Sequence, residues 1–260
     1  MLGLGNSISS SGAPESDDLS RITDLELWLK NGTGLNDGSG GAVTSGKVVQ
    51  WDDSSGNGNN VRQSVSDNQA TYKGGGLAFD DANIEHYDLA GAISIAKGTS
   101  STTGGFCIAV VWDVDKNTCT VLSEDANEFF EFKTNKELRF SGDKDSSTTS
   151  IFYAESGTPF ALGEKMVILF NRTAGSSGAF SIYKNGSAVT IAADGTDPGD
   201  STLTDAGDNV MGFDIDTLGV KGDSTQPFDG DIYELAFWSK SLDTTEIAYV
   251  SSYLTTVHGI

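Results

Sequence analysis

The chain has 260 residues, a formal net charge of −21 and a pI near 4.2. A surface this acidic repels phosphate backbones and no basic stripe counters it, which argues against a nucleic-acid partner. No apolar run approaches the roughly 18 residues of a membrane-spanning helix, yet 37% hydrophobic residues are enough for a core, and 32 glycines against 4 prolines suit many tight turns.

Residues 1–20 form a first, separate piece: Gly, Ser, Ala and Pro14, then Glu15, Asp17 and Asp18, without hydrophobic periodicity. That composition predicts an extended arm. It cannot order itself, so the expected contact is an assembly partner, either another copy of the chain or a larger structure; the alternative is that it folds back on its own domain. Met1 to Asn6 carries neither the basic region nor the apolar stretch of a secretory signal.

Short apolar runs then follow one another. Strands are predicted at 25–29, 47–51, 105–112, 118–122, 129–132, 137–140, 150–154, 165–171, 180–184, 209–213 and 231–238, separated by turn clusters such as 31–41, 174–178 and 194–200. Many short strands with Gly, Asn and Asp turns indicate a β-sandwich rather than parallel βαβ units. One helix closes the chain. Asp243 and Glu246 have capping-box spacing, and Ile247, Val250, Leu254 and Val257 form one apolar stripe. Cys107 and Cys119 flank a turn; if it is a hairpin symmetric about Asp115, position 107 faces 123 and 119 faces 111, so two core thiols are expected instead of a disulfide.

Three segments carry a family resemblance. Leu27-Trp28-Leu29 is followed by Gln50-Trp51, Asp53, Ser55-Gly56-Asn57-Gly58-Asn59 and Gln63; Phe180 to Gly186 is a strand running into an Asn-Gly hairpin; and Phe228-Asp229-Gly230-Asp231 opens an alternating strand through Trp238. In this order they resemble the concanavalin A-like lectin/glucanase superfamily in its laminin-G-like branch. The resemblance covers residues 22–260 and implies a single all-β domain over 21–260, a concanavalin A-like jelly-roll sandwich with one short C-terminal helix. Residues 79–84, Phe-Asp-Asp-Ala-Asn-Ile, depart from the family's aromatic turn.

Chemistry is sparse. The superfamily's retaining glucanases set alternate acids on one strand, about 5 Å apart as double displacement requires. Glu128 and Glu131 put their acids on opposite faces instead, which argues against a hydrolase of that type. His86 and His258, the two histidines, fit no triad or zinc pattern. Gly41 to Lys47 has phosphate-loop spacing but Val48 replaces the Ser or Thr that chemistry needs. Calcium is the one cofactor with a case: Asp53, Ser55 and Asn57 alternate oxygen ligands ahead of Gly58, although Ser64 stands where a bidentate acid belongs. The alternative there is an Asx-rich turn bonding its own backbone. Trp112, Tyr153 and Tyr183 are the candidate faces for stacking a sugar ring, with core packing as the alternative.

Fold, acidity and the glycine-rich start together resemble lectin-domain proteins of marine tailed bacteriophages. That implies a non-enzymatic virion structural protein, a capsid decoration, head fibre or tail component, held through residues 1–20 at the virion surface and presenting its domain to cell-surface glycan. The competing readings are a free or secreted carbohydrate-binding module and a glycoside hydrolase or lyase with rearranged acids.

Overall fold

The computed structural model describes residues 18–96, 103–142, 148–154, 157–175, 178–193, 212–222 and 224–260. In chain order the first strands are β1 (Leu25–Leu29), β2 (Leu35–Asn36), β3 (Gln50–Trp51), β4 (Val61–Arg62), β5 (Thr71–Lys73), β6 (Gly76–Phe79), β7 (Tyr87–Ile95), β8 (Phe106–Val114) and β9 (Cys119–Ser123). There follow β10 (Phe129–Thr134), β11 (Glu137–Gly142), β12 (Thr148–Ala154), β13 (Met166–Arg172), β14 (Phe180–Lys184), β15 (Ser187–Val189), β16 (Ile191–Ala193), β17 (Phe213–Leu218), β18 (Gly230–Trp238) and the helix α1 (Thr244–His258).

Antiparallel pairing collects them into two sheets. One, of eight strands, runs β15-β14-β13-β8-β18-β6-β5 with β1 also beside β18; the other, of ten, runs β16-β12-β11-β10-β9-β17-β7-β4-β3-β2. The facing surfaces enclose the main core, to which β8 gives Phe106, Ile108, Val110, Trp112 and Val114. Its intervening residues Cys107, Ala109 and Val111 enter a second apolar layer with Trp28, Trp238 and the helix residues Ile247, Val250 and Leu254. A strand covered on both faces has no polar side, so β8 reads as one continuous apolar run. The architecture is therefore helix, eight-stranded sheet, ten-stranded sheet, and the expected all-β jelly-roll sandwich with one C-terminal helix is what the chain forms.

A register shift in β18 between Ile232 and Glu234 decides what the second layer contains. Without it, alternation would keep residues 232 and 234 on one side. With it, Ile232, Leu235 and Phe237 face the main core, and Glu234 turns toward α1. There its carboxylate accepts from Trp28 Nε1 (2.7 Å) and Tyr253 Oη (3.3 Å) and meets His258 Nε2 at 2.8 Å. The Glu234 side chain is 0% exposed and that of His258 2%.

The helix carries the predicted capping box at Asp243 and Glu246 and ends on Gly259 in the left-handed region. Its stripe differs at the last position: Val257 is 46% exposed and His258 is turned inward. From Leu254, 3.6 residues per turn points between 257 and 258, and the bond to Glu234 selects the histidine. Among the described residues no helix is long and apolar enough to cross a membrane.

Two other expectations are corrected. β8 and β9 are not a hairpin: β8 pairs with β13 and β18, and β9 with β10 and β17, so the turn after Val114 crosses between sheets. The thiols are free and buried as expected, but in different layers, Cys107 against the helix and Cys119 in the main core. Burial pushes the Cys119 thiol up to about 12, and that of Cys107 also upward. The domain also begins earlier than residue 21. Leu19 is fully buried, the Asp18 amide donates to Tyr249 Oη (3.1 Å), and the Arg21 guanidinium lies 4.4 Å from the Tyr249 ring centre. The rest of the expected arm, 1–17, lies outside the described residues, as do 209–211 of a predicted strand whose observed counterpart is β17.

Candidate functional site

The face of the ten-stranded sheet turned away from the core is crossed by one line of register partners. Gln50 pairs with Arg62, Arg62 with Asp88, Asp88 with Thr217, Thr217 with Ser123, Ser123 with Phe129 and Phe129 with Ser141. Period-two alternation sends their neighbours Trp51, Val61, Leu89 and Phe130 into the core and leaves this line outside. Phe129 is its one aromatic member.

The segment joining β17 to β18 lies over the middle of the line. Ser123 Oγ donates to the Val220 carbonyl (2.6 Å), the Thr120 amide donates to the Gln226 carbonyl (2.9 Å), and Lys221 Nζ sits 3.8 Å from the Phe129 ring centre. Beneath it Glu131 is fully buried and bonded to Arg139 Nη1 at 3.3 Å. Burial holds the Glu131 carboxyl above the usual range, with Arg139 and Lys221 pulling the other way. The strongest charges acting on it are the cations Arg139, Lys221 and Lys133. Beside this closed half, Glu124, Asp125 and Glu128 bring one oxygen each within 4.8 Å of one another. Those oxygens are partly engaged: Asp125 Oδ1 accepts the amides of Asn127 and Glu128, and Glu128 Oε1 that of Asp214.

The other end of the line is open. Gln50, Asn60, Arg62, Ser64 and Asp88 line a shallow cleft of about 400 Å³ together with Leu89 and Ala90. Two of its walls are fixed from behind, because Gln50 Nε2 donates to Asp52 Oδ1 (2.6 Å) and Asn60 Oδ1 accepts the Asp53 amide (2.8 Å). Arg62 and Asp88 are exposed. Amide, hydroxyl, carboxylate and guanidinium groups in one open cleft supply both donors and acceptors to a polyhydroxylated ligand.

A laminin G-type family model, described as the concanavalin A-like lectin/glucanases superfamily, matches residues 88–248, more than half of the chain. The chain belongs to this superfamily. No curated protein sequence matches it. Among solved structures it is similar to a mutant Trypanosoma rangeli sialidase displaying trans-sialidase activity, at 14% identity and TM-score 0.49 over 90% of this chain and 33% of that one. It is also similar to a GH54 α-L-arabinofuranosidase (15% identity, TM-score 0.45, 88% of this chain and 58% of that one). A third likeness is to the binding domain of Paraclostridial Mosquitocidal Protein 1 (11% identity, TM-score 0.46, 91% and 53%). The chain thus spans a third of the sialidase's length. These likenesses concern the fold, and the superfamily holds lectins and glycoside hydrolases alike.

Within this lectin/glucanase sandwich the residues singled out from sequence lie apart from one another. Trp112 does not offer a stacking face: it is fully buried and packs on Phe130, with ring centres 6.1 Å apart. Tyr183 is half-buried in the second apolar layer, on the helix side of the eight-stranded sheet and away from the cleft. Tyr153 lies on β12 opposite Glu137 and Ala192; its side chain is outside the described residues. Asp53, Ser55 and Asn57 form a brace instead of an open cation loop. Asp53 Oδ1 accepts the amides of Trp28 and Ser55 (both 2.8 Å), and Oδ2 the Ser55 hydroxyl (2.7 Å) and the Asn59 amide (3.0 Å). Asn57 Nδ2 donates to the carbonyls of Leu25 (2.7 Å) and Glu26 (3.2 Å). The carboxylate is consumed in covering the free edge of β1, a row of backbone groups that β18 leaves unpaired. The histidines are likewise tied up, His86 with Gln63 at 3.1 Å and His258 with Glu234.

Arg62 and Asp88 were not among the sequence candidates because β4 and β7 were not among the predicted strands. A signal existed. Tyr87, Leu89, Ile93 and Ile95 alternate with exposed residues, but Gly91 and Ala92 interrupt the pattern and lower its β propensity.

Proposed function

We propose that the protein is a non-enzymatic lectin-like domain that binds glycan in the cleft of Gln50, Asn60, Arg62, Ser64 and Asp88, and that its amino-terminal residues attach it to a larger assembly. The observation that carries this reading is the cleft itself: polar, open, and built on and beside strands of a superfamily that contains lectins. Polar side chains on strands hold a fixed pattern of donors and acceptors, which is what distinguishes one arrangement of sugar hydroxyls from another. The resemblance to lectin-domain proteins of tailed bacteriophages makes a virion surface the proposed setting, with host-surface glycan as the target.

The geometry gives a hydrolase less support. Glycoside hydrolysis uses two carboxyl groups about 5–9.5 Å apart; Glu131 is paired with Arg139, and of the acids that do approach one another, Asp125 and Glu128 already accept backbone amides.

The test is a glycan-array screen of the full chain, followed by product analysis on every glycan bound. Saturable binding, weakened by Gln50→Ala and without cleavage, is the expected result. Cleavage abolished by Glu131→Gln would replace the lectin with an enzyme, and silence across the array would leave a purely structural domain.

A further inference from the structure

The cleft contains a cation whose charge the protein does not use. The chain has four arginines. Arg21 lies over the Tyr249 ring, Arg139 pairs with Glu131 at 3.3 Å, and Arg172 donates to the carbonyls of Thr173 and Gly175 at 3.3 Å each. Arg62 differs: among the described residues its guanidinium has no hydrogen bond, ion pair or ring contact. Asp88 is its cross-strand partner on β7, yet the two are not joined by an ion pair. The guanidinium reaches the opposite way, toward the β2–β3 connection, where a Cβ placed on Gly38 would come within 3.5 Å of its Nη2.

We infer that Arg62 makes the cleft selective for anionic glycans, those bearing a carboxylate or a sulfate ester. The inference rests on the glycan-binding reading above and names the class of ligand. A guanidinium holds carboxylate or sulfate through paired N–H donors in a fixed fork, with charge that neutral hydroxyls do not exploit. Arg62 is in place for this without breaking an internal contact. Gln50, Asn60, Ser64 and Asp88 stand on the same cleft to bond the hydroxyls around the anionic group. Position matters more here than overall charge. At a net charge of −21 the protein repels polyanions at long range, but that repulsion is screened beyond about 8 Å at 0.15 M salt, while a contact at Arg62 is not. Asp88 limits affinity by like charge.

The experiment measures binding of the full chain to uronate-containing, sialylated and sulfated oligosaccharides and to their neutral counterparts, at fixed ionic strength, for wild type, Arg62→Ala and Asp88→Asn. Expected are preference for the acidic members, a loss of about 10- to 100-fold in Arg62→Ala, and tighter acidic binding in Asp88→Asn; the uronate and sulfate arms show which anion fits. Arg62 is exposed, so its replacement should leave the melting temperature unchanged. Equal binding of neutral and acidic glycans, indifferent to Arg62→Ala, overturns the inference and leaves the lectin reading standing. Binding to neither class removes both.

Discussion

The Glu234–His258 contact offers the sharpest test of how the helix is held. His258→Ala removes one partner of a pair whose side chains are 2% and 0% exposed, leaving the Glu234 carboxylate with Trp28 Nε1 and Tyr253 Oη as its remaining donors. Breaking a buried pair in this way costs about 3–5 kcal/mol. Two surviving donors favour the lower end, so about 3 kcal/mol is expected, a fall in melting temperature of roughly 6–12 °C for a domain of this size. Urea unfolding followed by tryptophan fluorescence would read it, since Trp28 and Trp238 lie in the same layer. The double variant Glu234→Gln/His258→Ala separates the causes: with the carboxylate charge gone but an amide oxygen kept for Trp28 Nε1 and Tyr253 Oη, part of the loss should return. A single variant within 0.5 kcal/mol of wild type, or a double variant whose loss is the sum of the two singles, would refute the reasoning.

The remaining expectations concern the core, the brace and the covered half of the outer face. Cys107 and Cys119 should resist a thiol reagent in the native protein and both react after denaturation; one fast-reacting native thiol would contradict their burial. Asp53→Ala removes four hydrogen bonds, one to the β1 backbone at Trp28 and three within its own loop, and should cost about 2–4 kcal/mol, whereas millimolar calcium or chelator should not shift the melting temperature through Asp53; a wild-type shift absent from the variant would restore the cation-loop reading. Because burial raises the Glu131 pKa, the native state keeps a proton that the unfolded chain releases near pH 4.3. Its contribution is complete below that pH and is lost as pH rises through the raised folded value. Glu131→Gln should therefore show a flatter stability profile as pH rises above about 4.3, and an unchanged pH dependence in chemical denaturation would count against it.

Much of the fold was legible because it rests on local pattern. β1 and β14 were read with their observed ends, since short alternating runs between turn residues have few other structures open to them. The capping box at Asp243 and Glu246 was legible for the same reason: both partners lie within one helical turn. The apolar run of β8 was legible as a strand, but its partners were not. Whether the chain turned back as a hairpin or crossed to the second sheet after Val114 depended on which surface β9 could cover, a property of the whole sandwich.

The site lay beyond that reach. Arg62 belongs to a two-residue strand and Asp88 to one interrupted by Gly91, so neither announces itself by periodicity, and only pairing across β3, β4 and β7 puts them on one surface with Gln50. The motif around Asp53 shows the converse. Its oxygen spacing suits a cation loop equally well, and the proximity of the β1 edge, 25 residues back in the chain, turned those oxygens inward to backbone amides. Composition and spacing determined an acidic β-sandwich with a capped terminal helix, and the family resemblance implied that the sandwich is a jelly roll. Tertiary structure decided which polar groups were spent on the fold and which were left facing solvent, because a hydrogen bond made inside the protein removes that group from any ligand, and such partners are far apart in sequence.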